Sequence, residues 1–180
     1  MFVLRIDEIP DEGLDLKWEE DPESMAAYLK TLSRIDFSFE SSLCSMAKIK
    51  KAGKTILIKG GVRTVLRLQC VRCLKEFSHP LSSNFDVTLL PPEGVSAKEG
   101  ERELSEEEME LSYHDGEEIH LSEIACEQVF LEIPYQPLCQ VECKGLCEVC
   151  GTDLNLSACR CVQEESEGSF SVLQKLKLDQ

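Results

Sequence analysis

Cysteines near the carboxyl end of the chain are the residues whose spacing most clearly predicts chemistry. Cys147 and Cys150 form a C-x2-C pair followed directly by Gly151, and Cys159 and Cys161 form a C-x-C pair. A C-x2-C pair can place two thiolates at two corners of a tetrahedron from one tight turn, and zinc takes four such ligands. Glycine after the second thiolate allows the positive φ that a sharp turn needs. These four cysteines predict a structural zinc site, with disulfides or free core cysteines as the alternatives.

A second set of cysteines offers ligands for another zinc site. Cys70 and Cys73 form a C-x2-C pair, and Cys139 and Cys143 form a C-x3-C pair. One ion held by all four would join the tail to the middle of the chain, and its binding energy would contribute to folding. The spacing alone does not decide whether the chain has one zinc site or two. A redox dithiol is the alternative for Cys70 and Cys73, although such pairs normally open a helix and this one lies in strand-like sequence.

The composition describes an acidic chain without a membrane or export signal. It has 180 residues and a net charge of −15, which is enough chain for one domain with a buried core. No apolar run reaches the roughly 20 residues of a membrane-spanning helix. The first residues are acidic where a signal peptide is basic. We therefore expect a cytoplasmic protein, and in that compartment ten cysteines favour metal binding over disulfides.

Positive charge is concentrated in one segment of this acidic chain. Nine basic residues and no Asp or Glu lie between Ser41 and Lys75. Such a segment can contact RNA phosphates even when the whole molecule is acidic. The alternative is that these side chains only solubilise one face of a strand. The candidate RNA-binding residues are Lys48, Lys50, Lys51, Lys54, Arg63, Arg67 and Arg72.

Apolar spacing in the first half of the chain predicts strands and one helix. FVLRIDEI and LDLKWEE each alternate as short strands do. Asp21 as N-cap and Pro22 as first helical residue predict a helix over 22–32. From Asp36 to Leu90 the period is two, which predicts an antiparallel meander, curled into a partial barrel. Gly60 and Gly61 are expected to form a hairpin turn between two of its strands.

The second half predicts an acidic loop, a helix and the cysteine-rich tail. Residues 93–111 are acidic and poor in large apolar side chains, which favours a loop. Ser122 or a neighbour is expected to cap a helix that carries Ile124 and Val129. We therefore predict an α+β fold with two or three short helices. Its parts are an antiparallel, partly barrel-like core (1–138), a zinc-ribbon-like segment packed on that core (139–162), and a linker with a short terminal helix (163–180).

Nothing in the sequence predicts catalysis. His79, His114 and His120 lie outside any nucleophile or metal-hydrolase motif. A zinc ion with four cysteine ligands also lacks the open coordination position of a catalytic site. We expect a protein that is not an enzyme. The two remaining cysteines, Cys44 and Cys126, are expected to be small buried core residues.

Several segments of the chain together resemble one protein family. They are CVRCLKEF at 70–77, YHDGEEIHL at 113–121, LEIPYQPLC at 131–139, CKGLCEVCGTDLN at 143–155 and CRC at 159–161. This set resembles the YceD family, the large ribosomal RNA subunit accumulation proteins of bacteria and plastids. The FSVLQKLK segment is similar to the short closing helix of that family.

The resemblance implies a non-enzymatic, bacterial factor that makes or stabilises large-subunit ribosomal RNA, close to a ribosomal protein of the large subunit. Some relatives keep pairs like Cys70/Cys73 and Cys143 without the last pair, which favours two zinc sites. The leading hypothesis is a ribosome-biogenesis factor whose basic hairpin, residues 48–75, contacts large-subunit ribosomal RNA or its precursor. The alternative is an acidic adaptor or chaperone for a basic ribosomal protein, without direct RNA contact. A third and weaker hypothesis is a zinc-ribbon transcription regulator. Such a protein would bind specific DNA sequences, and the sequence predicts no recognition helix for that purpose.

Overall fold

The structure, a computed structural model, describes residues 1–31, 37–91, 111–114 and 116–161. Within these ranges the chain forms eight β-strands and two α-helices. The strands are β1 (Val3–Arg5), β2 (Leu14–Glu20), β3 (Phe37–Phe39), β4 (Leu43–Ala52), β5 (Thr55–Gln69), β6 (Glu76–Leu90), β7 (Leu111–Tyr113) and β8 (Glu118–His120). The helices are α1 (Pro22–Leu29) and α2 (Leu121–Glu132). The predicted α+β class is confirmed, and sheet dominates it.

Six of the strands form one sheet in the order β2-β4-β5-β6-β7, with β3 also paired to β5. The pairs from β2 through β6 are antiparallel, as predicted. The last pair, β6 with β7, is parallel, which the prediction missed. In the described residues the sheet is open, with β2 and β7 at its two ends. The barrel-like curvature therefore stays a prediction.

Strand β5 is the centre of the sheet, because it bonds neighbours along both of its edges. One edge pairs with β6 from Ile56 to Gln69. The other pairs with β4 and then with β3. Thr64, Leu66 and Leu68 point inward and are buried, whereas arginines alternate with them on the outer face. The alternation predicted for this strand is confirmed.

Gly60 and Gly61 lie inside β5, so the prediction of a hairpin turn there is wrong. The turn instead falls at Gly53 and Lys54, between β4 and β5. Gly60 is needed for close approach: an added Cβ would lie 2.5 Å from the Met46 carbonyl oxygen and 2.6 Å from the Phe85 ring. A glycine in a strand that lets another group approach the backbone gives the same sequence signal as a glycine turn.

The helices cover the inner face of the sheet. Helix α1 begins as predicted, since the Asp21 carboxylate accepts a hydrogen bond of 2.9 Å from the Ser24 N–H, but it ends at Leu29 rather than at residue 32. Ser122 lies inside α2 and does not cap it. Its hydroxyl donates to the carboxylate of Glu20, a buried residue of β2, so this serine satisfies a buried polar group.

The two cysteines outside the metal-ligand candidates have different environments. Cys126 is fully buried on α2, as predicted, and burial raises the pKa of its thiol to about 12. Cys44 is exposed, so its assignment to the core is wrong. In β4 the inward residues are Leu43, Ser45 and Ala47, and this parity places Cys44 on the outer face.

Some predictions concern the ends of the described ranges. The first strand is shorter than expected: β1 pairs with β8 in a separate two-stranded sheet and is followed by a 3-10 turn at Ile6–Glu8. The predicted acidic loop at 93–111 falls almost wholly outside the described residues, as do the linker and terminal helix at 163–180. The sequence also predicted no membrane-spanning helix. Neither helix in the described ranges has the length and apolar character of such a segment.

Replacing Gly60 with alanine tests the packing at the centre of the sheet. We expect G60A to lower the free energy of unfolding by about 1–3 kcal/mol, because the new methyl group overlaps backbone and an aromatic ring. G61A is the matched control, since its Cβ would meet the movable Asn84 Oδ1 at 2.9 Å and approach the nearest backbone atom, the Ser83 carbonyl oxygen, only to 3.2 Å. Urea unfolding of both variants measures the difference. Equal stabilities would contradict this account of Gly60.

Candidate metal centres

Eight cysteines lie in two groups of four in the structure. Centre 1 consists of Cys70, Cys73, Cys139 and Cys143, and centre 2 consists of Cys147, Cys150, Cys159 and Cys161. Within each group all Sγ atoms lie within 4.8 Å of one another. All of these cysteines are free thiols. The structure thus brings together the same two sets that the spacing suggested, and each set could hold a metal ion.

The two C-x2-C pairs have the same local backbone. In centre 1, the Cys70 N–H donates to the Lys75 carbonyl at 2.9 Å, and the Leu74 N–H donates to the Cys70 carbonyl at 2.9 Å. In centre 2, Cys147 makes the equivalent bonds, donating to the Thr152 carbonyl and accepting from the Gly151 N–H, each at 2.8 Å. The residue after the second cysteine has positive φ in both turns, Leu74 at 58° and Gly151 at 70°.

Backbone contacts attach the tail to the turn between β5 and β6. The Val71 N–H donates to the Pro137 carbonyl at 3.0 Å, and the Leu146 N–H donates to the Arg72 carbonyl at 3.1 Å. Gly145, with φ of 74°, packs so closely that an added Cβ would lie 3.0 Å from that same carbonyl oxygen. These contacts bring Cys139 and Cys143 to the C-x2-C pair of the sheet.

Asn155 links the two centres, and the sequence analysis missed this role. It lies between Cys150 and Cys159 in the loop of centre 2, but its Nδ2 donates to Cys143 Sγ of centre 1 at 3.4 Å. Its Oδ1 accepts from the Lys144 N–H at 2.8 Å. Asn155 occupies the last position of the CKGLCEVCGTDLN segment, which was the only signal available for it.

The thiols of centre 1 have opposite pKa shifts. Burial raises the pKa of Cys70, but N–H donors from the backbone of Cys139, Cys73 and Arg72 outweigh it and lower that pKa to about 6. Burial, together with the neighbouring thiols, raises the pKa of Cys139 to about 12. The charged form is thus favoured at Cys70 and disfavoured at Cys139, and a bound cation would favour it at both.

Centre 2 shows the same contrast. Hydrogen bonds from the hydroxyl and the N–H of Thr152 lower the pKa of Cys150 to about 6. The Thr152 hydroxyl oxygen lies 3.1 Å from the Cys150 Sγ. The hydrogen bond with Cys150 and then burial raise the pKa of Cys161 to about 12. Cys150 and Cys161 are exposed, whereas three of the four cysteines of centre 1 are buried.

The sulfur spacing fits a tetrahedral zinc ion. A Zn–S bond of about 2.3 Å in a regular tetrahedron separates the sulfurs by about 3.8 Å. In centre 1 the Sγ atoms of Cys70 and Cys143 are 3.8 Å apart, and those of Cys73 and Cys139 are 3.7 Å apart. In centre 2 those of Cys147 and Cys159 are 3.3 Å apart, which is shorter than this spacing, so the fit is better at centre 1. A disulfide would require about 2.05 Å. Four soft thiolate ligands also favour zinc over oxygen-preferring cations.

The candidate RNA-binding residues do not form one uniform basic patch. Asp15 on β2 lies 3.8 Å from Lys48, and Glu40 lies 3.0 Å from Arg67. Arg72 donates to the Cys143 carbonyl at 2.8 Å, so it also helps to position centre 1. Acidic residues that are distant in sequence thus neutralise part of the predicted strip.

The other candidates lie around the β4–β5 hairpin and on the outer face of the sheet. The pKa of Asp7 is lowered by Arg5 and, more weakly, by Lys51, which places Lys51 near an acid. Lys50 packs beside Gly13. Lys54 lies in the hairpin turn, and Arg63 is exposed on the outer face of β5.

The fold and the two thiol groups define a sheet protein with a cysteine-rich tail that could bind two metal ions. The sequence model of the family described as large ribosomal RNA subunit accumulation protein YceD matches residues 58–177. This match covers both centres and more than half of the chain. The chain therefore belongs to the YceD family, and the resemblance seen in its motifs is confirmed.

Relatives in plants and mycobacteria are also similar. The chain is 30% identical over 144 residues to the chloroplastic large ribosomal RNA subunit accumulation protein YCED homolog 1 of Arabidopsis thaliana, which covers 69% of this chain and 45% of the relative. The Zea mays protein of the same name is 28% identical over 148 residues, 70% of this chain and 50% of the relative. An uncharacterised protein of Mycobacterium tuberculosis is 28% identical over 107 residues, 59% of this chain and 49% of the relative.

The chain spans about half the length of these relatives. No solved structure gives a significant match.

Asn155→Ala tests the link between the centres. We expect N155A to weaken metal binding at centre 1 by about 10–100-fold, because hydrogen bonds to ligands commonly contribute that much. Competition with a chromophoric zinc chelator measures the affinity of each centre. Leu156→Ala is the matched control, since that neighbouring side chain is 83% exposed. An N155A variant that binds metal as the wild type does would contradict the role of Asn155.

Proposed function

We propose that this protein is a non-enzymatic factor in the accumulation of large-subunit ribosomal RNA and in ribosome biogenesis, with a structural zinc ion in each centre. Two plant relatives are large ribosomal RNA subunit accumulation proteins by name, which supports the role. The observation that carries the zinc assignment is the pair of sulfur distances of 3.8 and 3.7 Å in centre 1, which match a tetrahedral zinc ion. We expect the protein to act in the cytoplasm.

Zinc at centre 1 would be held by Cys70 and Cys73 from the β5–β6 turn and by Cys139 and Cys143 from the tail. The ion would supply the positive charge that lets four thiols deprotonate together. The chain contributes the rest: backbone N–H groups orient the sulfurs, and Arg72 holds the carbonyl of Cys143. With all four ligand positions filled by cysteine, such a site supports structure and not hydrolysis.

The partner that fits this role is large-subunit ribosomal RNA or its precursor. The outer face of the sheet carries Lys50 and Arg63, and phosphate contacts by such side chains give RNA binding that weakens with salt. Proximity to a ribosomal protein of the large subunit is part of the same proposal.

The acidic character of the chain favours a second candidate function. Its net charge is −15, and Asp15 and Glu40 neutralise two of the candidate RNA-binding cations. A protein of this charge attracts basic proteins electrostatically. In this candidate function the protein is an adaptor or chaperone for a basic ribosomal protein and does not touch RNA. Purified components separate the two functions, because only the first requires RNA.

Cys73→Ser and Cys150→Ser test the structural importance of the two centres. We expect C73S to lower the free energy of unfolding by about 3 kcal/mol or more, or roughly 10 °C in the unfolding midpoint, because centre 1 joins distant segments. C150S should cost less, since centre 2 closes only a loop within the tail. Thermal unfolding followed by circular dichroism measures both. A C150S variant that is as destabilised as C73S would contradict the greater importance of centre 1.

Complementation in cells tests the proposed role. In bacteria that lack their own member of the family, we expect the wild-type protein to restore the level of large-subunit ribosomal RNA relative to small-subunit ribosomal RNA. C73S should fail because its tail is detached from the sheet. Val141→Ala, which shortens an exposed side chain of the tail and removes no thiol, is the matched control and should restore the level. No effect of the wild-type protein on this ratio would contradict the proposed function.

A further inference from the structure

The outer face of the sheet contains a depression of about 590 Å³. Its middle is a row of residues on four neighbouring strands: Lys17 of β2 lies opposite Met46 of β4, which lies opposite Gly61 of β5, which lies opposite Asn84 of β6. A depression of this size falls in the range of small-ligand sites, about 300–1,000 Å³. The depression lies on the face of these strands and not along the free edge of β2, which is the end strand of the sheet in the described residues.

The floor of the depression is flat and partly apolar. Gly61 has no side chain, and a Cβ there would lie 2.9 Å from Asn84 Oδ1, so the Asn84 amide leans over the bare backbone of β5. Beside it, the Met46 side chain is 53% exposed although it lies in the middle of a strand. A flat surface with an apolar side chain and an adjacent amide suits a planar ring that also needs hydrogen bonds.

Charges around the depression favour an anionic ligand. Arg63 lies in the next row, and within the described ranges it makes no ion pair. Its neighbours on the same face differ: Lys59 is 2.5 Å from Asp86, and Arg67 is 3.0 Å from Glu40. Lys17 is exposed at the β2 side of the depression and likewise has no ion pair among the described residues. Cations that lack a protein partner are available to phosphate groups.

Glu19 is the acidic residue that lines the depression, and its charge indicates which part of a bound ligand lies next to it. It lies on β2 in the same row as Arg63, with Cys44 between them. A carboxylate repels phosphate but accepts hydrogen bonds from the amino groups of nucleobases. The depression therefore combines two cations for phosphates, an apolar floor for a ring, and a carboxylate and an amide for the edge of a base.

We propose that this depression binds an unpaired nucleotide of single-stranded RNA. Its base lies on Met46, with its edge toward Asn84 and Glu19, and its phosphates contact Arg63 and Lys17. Unpaired RNA is the occupant because bases in a duplex cannot lie flat on a protein surface. A protein strand would add to a sheet edge and not to this face. The inference rests on the proposed function, and it assigns the RNA contact of that function to this depression.

Arg63→Gln and Arg67→Gln form a matched pair for the test. Both residues are exposed on the same face of β5, but Arg67 is already paired with Glu40. The probe is a fluorescein-labelled, mixed-sequence 20-nucleotide single-stranded RNA, with the same sequence as a duplex for comparison. We expect R63Q to weaken single-strand binding about tenfold, and R67Q less than about twofold. Duplex RNA should bind weakly to both. Circular dichroism and metal content verify that each variant is folded.

Cys44 provides a second readout that does not depend on a variant. Its exposed thiol lies opposite Arg63 in the depression, so bound RNA should slow its alkylation by iodoacetamide, which peptide mapping detects. Equal loss of affinity in R63Q and R67Q, with no protection of Cys44, would overturn the site but leave the proposed function standing. Wild-type protein that binds no RNA would overturn both the site and direct RNA contact. Complementation of ribosomal RNA levels then decides separately whether the cellular role survives.

Discussion

The joining of the tail to the sheet at centre 1 is the constraint on which the rest of the structure depends. Its sulfurs come from positions 66 and 73 residues apart in the sequence. The apolar cluster around them is small: apart from the cysteines, it contains Phe77, Leu138 and Leu146. Beyond α2, the described tail has one isolated bridge, between Leu146 and Asp153, and no helix or longer strand. So little apolar burial does not offset the entropy of ordering the tail, and the proposed metal–thiolate bonds of centre 1 would supply the remaining free energy.

Strand β5 connects this constraint to the proposed function. Its inner face carries core residues such as Ile58 and Leu66, its outer face carries Arg63, and its end leads into Cys70. The same strand therefore positions the core, the proposed RNA contact and half of centre 1. Because Arg72 and Gly145 contact each other at the end of this strand, the position of the tail is fixed relative to the outer face of the sheet.

Local patterns in the sequence predicted much of this arrangement. Cysteine spacing suggested the two groups of four, and the alternation of Thr64 and Leu66 with arginines gave both faces of β5. Two of the failures concern contacts with distant residues. Gly60 resembled a turn because Phe85, whose ring needs the space, lies 25 positions away. The basic strip seemed continuous because its acidic partners, Asp15 and Glu40, lie outside the segment, and the structure alone shows them paired.

The number of zinc ions per chain tests the central claim most directly. Native mass spectrometry of protein purified without added metal measures this number on the folded molecule. The account predicts a dominant species with two zinc ions, and a mass that excludes disulfides. A folded species with intact thiols and no metal would contradict it, because the tail would then be joined to the sheet without metal–thiolate bonds.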